Sequence, residues 1–245
     1  MVGNPAAEGA ATQDRVQVAE RRLFRRIMMI TLPLFLAVAV FIPNIGPLFR
    51  TFNSPSTSMA PAFPKGSLHI VSRLSYGYSK HSFDWFDLPI TGRWFETEPA
   101  RGDIVVFRTP KDLQTFYIKR IIGLPGDRVQ IARGRLMING TEVAREPSKK
   151  NLLHPLDRKL EVPTYVETLP EGVSYKIIET DGDTGGFDNT GEFHVPAGHY
   201  FFLGDNRDNS NDSRVPITIG YVPSELLLGR VEFTFTGDET DEDSE

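Results

Sequence analysis

The 245-residue chain contains no cysteine. That excludes a thiol nucleophile, a disulfide framework and a cysteine-ligated zinc site. It leaves the compartment open, because a cysteine-free chain tolerates either redox state. Tight metal signatures are also missing. The five histidines are His69, His81, His154, His194 and His199, and none lies in an H-E-x-x-H pattern. There is no G-x-S-x-G elbow to present a serine, no S-x-x-K pair, no glycine-rich phosphate loop and no internal repeat. A histidine-based triad stays open, since triads assemble in space rather than along the chain.

Basic charge is in short supply too. The net charge is −5, and the last nine residues, 237–245, hold six acidic residues and no basic one. The rest has 27 basic residues against 26 acidic ones, so nothing points to nucleic acid as a partner. The acidic tail has nothing to bury and is expected to stay disordered.

One apolar run stands out. Residues 27–42 read IMMITLPLFLAVAVFI, without a charge. A weaker apolar continuation reaches residue 49. Together they approach the ~20 residues that a membrane helix needs, and Pro33 is tolerable in such a helix. Arg21, Arg22, Arg25 and Arg26 precede the run, and Arg50 follows it. That asymmetry predicts a cytoplasmic N-terminus. Ala37-Val38-Ala39 resembles the cleavage site of a secretory leader. Yet the basic region is long and late, and the chain stays apolar past Ala39. A retained anchor over 27–49 is the expectation, after a cytoplasmic segment at 1–26.

Beyond residue 50, short runs of Val, Ile, Phe and Tyr predict a mainly β body. Strands are expected at 68–74, 103–107, 117–122, 128–132, 135–138, 175–179, 192–195, 200–203 and 228–235. Arg133-Gly134 and Asn139-Gly140 have the form of hairpin turns. Residues 51–64 predict a loop, and 145–174 a poorly patterned excursion. The 83–95 segment holds both tryptophans. It suits either the bilayer interface or packing on its own domain.

Three segments are chemically unusual. Prolines restrict both ends of Pro55-Ser56-Thr57-Ser58-Met59-Ala60-Pro61 and hold its serines extended. Taken alone, the segment reads as a linker. Lys119 lies in the apolar strand Tyr117-Ile118-Lys119-Arg120-Ile121-Ile122. Burial resists protonation of an amine and draws its pKa down from about 10.4. A base near neutral pH requires about 4 kcal/mol against the charged form. Such an amine can deprotonate a serine. Lys176 sits in a similar run, so composition does not choose between the two lysines. The third segment, Gly204-Asp205-Asn206-Arg207-Asp208-Asn209-Ser210-Asn211-Asp212-Ser213-Arg214, predicts a tightly hydrogen-bonded loop. It lacks the ligand spacing of an EF-hand.

In this order the segments resemble type I signal peptidases, the bacterial leader peptidases. Four stretches carry the likeness: P-S-T-S-M-A-P at 55–61, R-G-D-I-V-V-F at 101–107, Y-I-K-R-I-I-G-L-P-G-D at 117–127 and G-D-N-R-D-N-S-N-D-S-R at 204–214. The resemblance implies a signal-peptidase-like β catalytic body over 50–236, with a second, smaller β-region at about 145–200 and one transmembrane helix before it. It implies Ser58 as nucleophile, followed by Met59, and Lys119 rather than Lys176 as general base. Ser56 and the Ser58 amide match an oxyanion hole. Ser210 matches the serine that orients the lysine, and Asp212 and Arg214 match a supporting ion pair. Arg120 matches a structural position. No cofactor or metal is implied. The implied partners are secreted preproteins, cut after small residues, and the lipid bilayer. The implied location is the bacterial inner membrane, with the body on the extracytoplasmic side.

The chain departs from the family pattern at Ala62-Phe63, where Thr-Leu is common, and at Val215-Pro216-Ile217, where Tyr-Trp-Gly is common. Other Ser-Lys peptidases and a non-catalytic binding protein on the same fold are the competing classes. The anchor and the long 204–214 motif argue against the first. The joint presence of Ser58, Lys119 and Ser210 argues against the second.

Overall fold

The structure is a computed structural model that describes residues 25–34, 48–83, 86–157 and 159–236. The expectations for residues 1–24, for the 35–47 part of the anchor, for Trp85 and for the 237–245 tail lie outside the described residues. The chain divides into two units, 1–47 and 48–245. In the first, residues 25–34 are α-helical. Ile27, Met29, Ile30 and Leu34 are exposed on it. No helix among the described residues is long and apolar enough to cross a membrane.

The second unit is built of strands. The first are β1 (Phe49–Asn53), β2 (Leu68–Ser72), β3 (Tyr78–Ser79), β4 (Arg93–Trp94), β5 (Ile104–Arg108) and β6 (Phe116–Gly123). Next come β7 (Arg128–Ala132), β8 (Arg135–Ile138), β9 (Thr141–Glu142), β10 (Ala144–Pro147), β11 (Leu152–Leu153) and β12 (Glu161–Val162). The last are β13 (Thr164–Thr168), β14 (Ser174–Ile178), β15 (Phe193–His194), β16 (His199–Leu203), β17 (Val222–Pro223) and β18 (Leu227–Phe235). The main sheet has seven strands in the order β1-β2-β18-β5-β6-β16-β17. Two smaller sheets, β10-β13-β14 and β15-β7-β8-β9, accompany it, and β7, β8 and β9 lie before the 145–200 region expected to hold the second β-region.

Strand alternation explains the layering. Ile121 and Phe202 point into one buried cluster with Val105, Phe107 and Leu227. Their neighbours Ile122, Phe201 and Leu203 point into another, with Val129, Ile131, Leu136 and Ile177. The centre of the main sheet is therefore covered on both faces, as its nearly continuous apolar strands require. Each such side chain stabilises the fold by about 1.5–3 kcal/mol.

Both expected hairpin turns form. Arg133-Gly134 and Asn139-Gly140 all have positive φ, the conformation of the turn that best matches strand twist. Two expectations need correction. Residues 49–53 form an edge strand antiparallel to β2 rather than belonging wholly to a loop and anchor end. The 145–174 excursion contains β10 to β13. Their charged residues Arg145 and Glu167 are buried, which hides the usual alternation.

His69 is fully buried in β2, against the Phe63 ring at 4.2 Å. Its Nδ1 lies 3.0 Å from Thr234 Oγ1, and its Nε2 has no partner. Burial pulls its pKa down to about 4. The unfolded chain then binds the extra proton first, so this histidine removes stability as pH falls from about 6.5 to about 4. Thermal midpoints measured across that window should fall less steeply in His69→Gln than in wild type. Equal slopes would show that His69 contributes nothing to acid lability.

Candidate active site

Lys119 lies in β6, between β5 and β16, opposite Val105. Packing on both sides leaves it 2% exposed. Lys176, the other lysine in an apolar run, is exposed on β14. The Lys119 Nζ has two oxygen partners. It lies 2.6 Å from Ser58 Oγ and 3.1 Å from the Ile118 carbonyl. Among the described residues no carboxylate pairs with it directly. Burial pulls its pKa down to about 8, while the Asp212 and Asp205 charges pull the other way and Arg214 assists.

Ser58 sits just past the end of β1. The segment that carries it is closed at its base by Ser54 N to Ser67 O (2.9 Å) and Gly66 N to Ser54 O (2.7 Å). A turn follows Ser58, with Ala60 N donating to Thr57 O and Phe63 N to Met59 O. It buries Met59, Ala60 and Phe63. Met59 therefore anchors the serine through packing. Ser56 Oγ lies 3.0 Å from Ser58 Oγ and accepts from Ser58 N at 3.3 Å. One hydroxyl and one backbone amide thus meet beside Ser58 Oγ. The cleft before them, about 400 Å³, is lined by Ser56, Ser58, Tyr117, Ile118, Lys119 and Asn209 among others.

The 204–214 loop packs behind both residues. Asn206 N donates to Ser58 O at 3.2 Å, and Asn209 Nδ2 to Thr57 Oγ1 at 2.8 Å. Arg214 Nε and Nη2 each donate to Asp212 at 2.9 Å. Arg120 is paired with Asp205 through Nε (2.8 Å) and Nη2 (2.6 Å), and holds Gly102 O. Ser210 is buried beside Gly204, where an added Cβ would overlap Ser210 Oγ and the Ser58 carbonyl. Its hydroxyl makes no regular hydrogen bond to Lys119. Burial opposes ionisation of the neighbouring Asp212, but the Arg214 guanidinium outweighs it and holds that carboxyl below its usual range.

Several supporting residues escaped the sequence expectations. Thr57, Asp205, Asn206 and Asn209 lie inside the quoted motifs, where composition alone does not rank them. Glu167 and Tyr175 come from the second β-region, and Arg207 Nη1 donates to Glu167 Oε1 at 2.9 Å. Nothing in the sequence signals that pairing across 40 residues.

One group of carboxylates among the described residues has the spacing to offer oxygens to a cation: Glu179, Asp188 and Asp208, within 4.8 Å. Arg145 lies 3.5 Å from Glu179, and burial pushes the Glu179 carboxyl up to about 8.

A serine hydroxyl, a buried amine and a nearby amide are groups that serine peptidase chemistry can use. Comparison with known proteins gives the family. The family described as signal peptidase, peptidase S26, matches residues 24–236. The chain belongs to the signal peptidase family. It is a peptidase. Among similar proteins, signal peptidase I of Rickettsia typhi is 41% identical over 204 residues, covering 76% of this chain and 71% of the relative. Signal peptidase I of Rickettsia conorii is 41% identical over 193 residues, with the same coverage. A crystal structure of a signal peptidase I from Enterococcus faecalis V583 aligns with 28% identity and a TM-score of 0.33, over 56% of this chain and 98% of that one.

Burying a protonated amine destabilises the fold. The penalty is complete below about pH 8, shrinks as pH rises, and vanishes above about pH 10.5. It amounts to roughly 3 kcal/mol. Lys119→Met should therefore raise the thermal midpoint at pH 7, and the gain should shrink by pH 10. An unchanged or lower midpoint at pH 7 would mean that the amine is not under this strain.

Proposed function

We propose that this signal peptidase is a membrane-anchored endopeptidase that removes signal peptides from secreted preproteins with a Ser58–Lys119 dyad. The observation that carries the reading is the 2.6 Å contact between Lys119 Nζ and Ser58 Oγ, made by an amine with no direct carboxylate partner. The substrates are preproteins cut after small residues, the preference that the resemblance implies.

Neutral Lys119 accepts the Ser58 proton across that contact, and Ser58 Oγ attacks the scissile carbonyl. Ser58 N and the Ser56 hydroxyl turn to the developing oxyanion. Protonated Lys119 returns the proton to the leaving amine, which frees the mature protein and leaves an acyl-enzyme. It then deprotonates the water that releases the signal peptide. Asp212, Arg214 and Ser210 hold the loop behind the dyad, and Arg120 holds Asp205.

The anchor lies within 27–48, ahead of β1, with residues 1–26 in the cytoplasm and the body through residue 236 on the extracytoplasmic face of the inner membrane. The charge asymmetry and the helical, uncharged residues 27–34 support this topology. Protease added to sealed, right-side-out bacterial spheroplasts should digest the 50–236 body. Protection of that body would overturn the topology.

The reaction is tested on a preprotein with an Ala-x-Ala site. Ser58→Ala and Lys119→Met should abolish cleavage while the protein stays folded. Ser56→Ala should lower kcat by about 10²–10³, the effect of losing one oxyanion donor. The kcat/KM profile should rise with pH and level off above about pH 8, as Lys119 loses its proton. Full activity in either dyad variant would reject the mechanism.

A further inference from the structure

The β11–β12 hairpin projects apolar side chains into solvent. Leu153, Leu156 and Leu160 are 52%, 65% and 56% exposed. The tip that carries them is not slack. His154 N donates to Leu160 O, and Leu160 N to Asp157 O. The His154 Nδ1 accepts from the amides of Leu156 and Asp157. These bonds fix the backbone and hold the leucines outward. Leu152 packs inward, beside Ala60, Val162 and Ile178, and ties the hairpin to the domain.

The charge around the leucines is distinctive. Residues 148–160 contain Lys149, Lys150, Arg158 and Lys159 against the single acidic residue Asp157, within a chain of net charge −5. Lys149, Lys150 and Lys159 are exposed. The surface continues past the hairpin. Pro64 and Lys65 line one groove with Leu153 and His154. Three residues beyond Lys65, the exposed Leu68 pairs with the exposed Phe235 at the end of the main sheet.

Protein interfaces are poor in lysine and rich in aromatic anchors at their centre. The hairpin has the opposite composition. Leucines set among lysines fit a boundary that is apolar below and anionic above. We propose that the 153–160 tip is a second membrane contact, with Leu153, Leu156 and Leu160 entering the headgroup region of an anionic bilayer and Lys149, Lys150 and Lys159 binding its phosphates. This rests on the membrane-anchored reading above. The contact would brace the catalytic body against the surface from which its substrates emerge.

The absence of cysteine makes the test direct. The full chain carrying Leu156→Cys is labelled with an environment-sensitive nitrobenzoxadiazole dye and reconstituted in vesicles. Matched vesicles contain phosphatidylcholine alone or with phosphatidylglycerol, each with or without a headgroup-region nitroxide lipid. In phosphatidylglycerol vesicles the emission should shift to the blue and be quenched by the nitroxide. The shift should be lost with Lys149→Glu, Lys150→Glu and Lys159→Glu combined, while preprotein cleavage in detergent stays unchanged. A label at the exposed Thr141→Cys reports the aqueous spectrum. A Leu156 label that matches the Thr141 label overturns the proposal. A blue shift without nitroxide quenching also overturns it, in favour of a protein partner or a second copy of the chain. Alkaline extraction of the same vesicles reports the anchor separately. Extraction of the chain would sink the anchored reading itself, whereas retention with an aqueous label would sink only the hairpin contact.

Discussion

A primary amine at the centre of a seven-stranded sheet is unstable as a cation unless something shares its charge. Among the described residues, Lys119 has only a hydroxyl and a carbonyl within hydrogen-bond reach. Most of the site can be understood as what keeps that amine dry while holding the hydroxyl against it. The β5 and β16 strands exclude water from either side, through Val105, Phe107 and Phe202. In the proposed dyad a lysine can stand in for histidine, because a buried lysine is brought toward neutral pH by desolvation alone, without an orienting carboxylate.

The hydroxyl is held by a different device. The 204–214 loop is clamped by buried arginine–carboxylate pairs, Arg120–Asp205, Arg207–Glu167 and Arg214–Asp212. Removing one partner of such a pair typically costs about 3–5 kcal/mol, because the other charge is stranded. The clamped loop presents Asn206 N to Ser58 O, so the rigidity of the pairs reaches the nucleophile through one backbone bond. The second β-region takes part in this. Glu167 and Tyr175 come from β13 and β14, and Ile178 exchanges backbone bonds with Asp205 and Arg207. A region that the sequence presents as an appendage is wired into the site.

How much of this was legible in the sequence follows from the range of each interaction. Local rules found the Arg133-Gly134 and Asn139-Gly140 turns and the strands at 128–132 and 135–138, since turn chemistry and alternation act over a few residues. They missed β10 and β13, whose inward-facing Arg145 and Glu167 look like solvent-facing charges until their distant partners are known. They also could not separate Lys119 from Lys176. Both lie in apolar strands, but β6 is central and β14 ends a small sheet. Only strand order makes one lysine buried and the other exposed. The resemblance to a family supplied that choice, because long motifs carry tertiary information that periodicity does not.

The pairing of charges also explains why the carboxylates near the dyad do not defeat it. Asp212 and Asp205 both favour a protonated Lys119. Left unpaired in a dry site, either would hold the amine charged and useless as a base. Each is instead matched to its own arginine, at 2.9 Å for Arg214 and 2.6 Å for Arg120. From the position of the lysine, each pair is closer to a dipole than to a charge, and its field falls off faster. The arginines therefore serve two purposes at once. They lock the loop that positions Ser58, and they screen the proposed base, Lys119, from the acids that the lock requires. Desolvation is left as the largest influence on Lys119, which is the condition under which a lysine can do the work of a histidine.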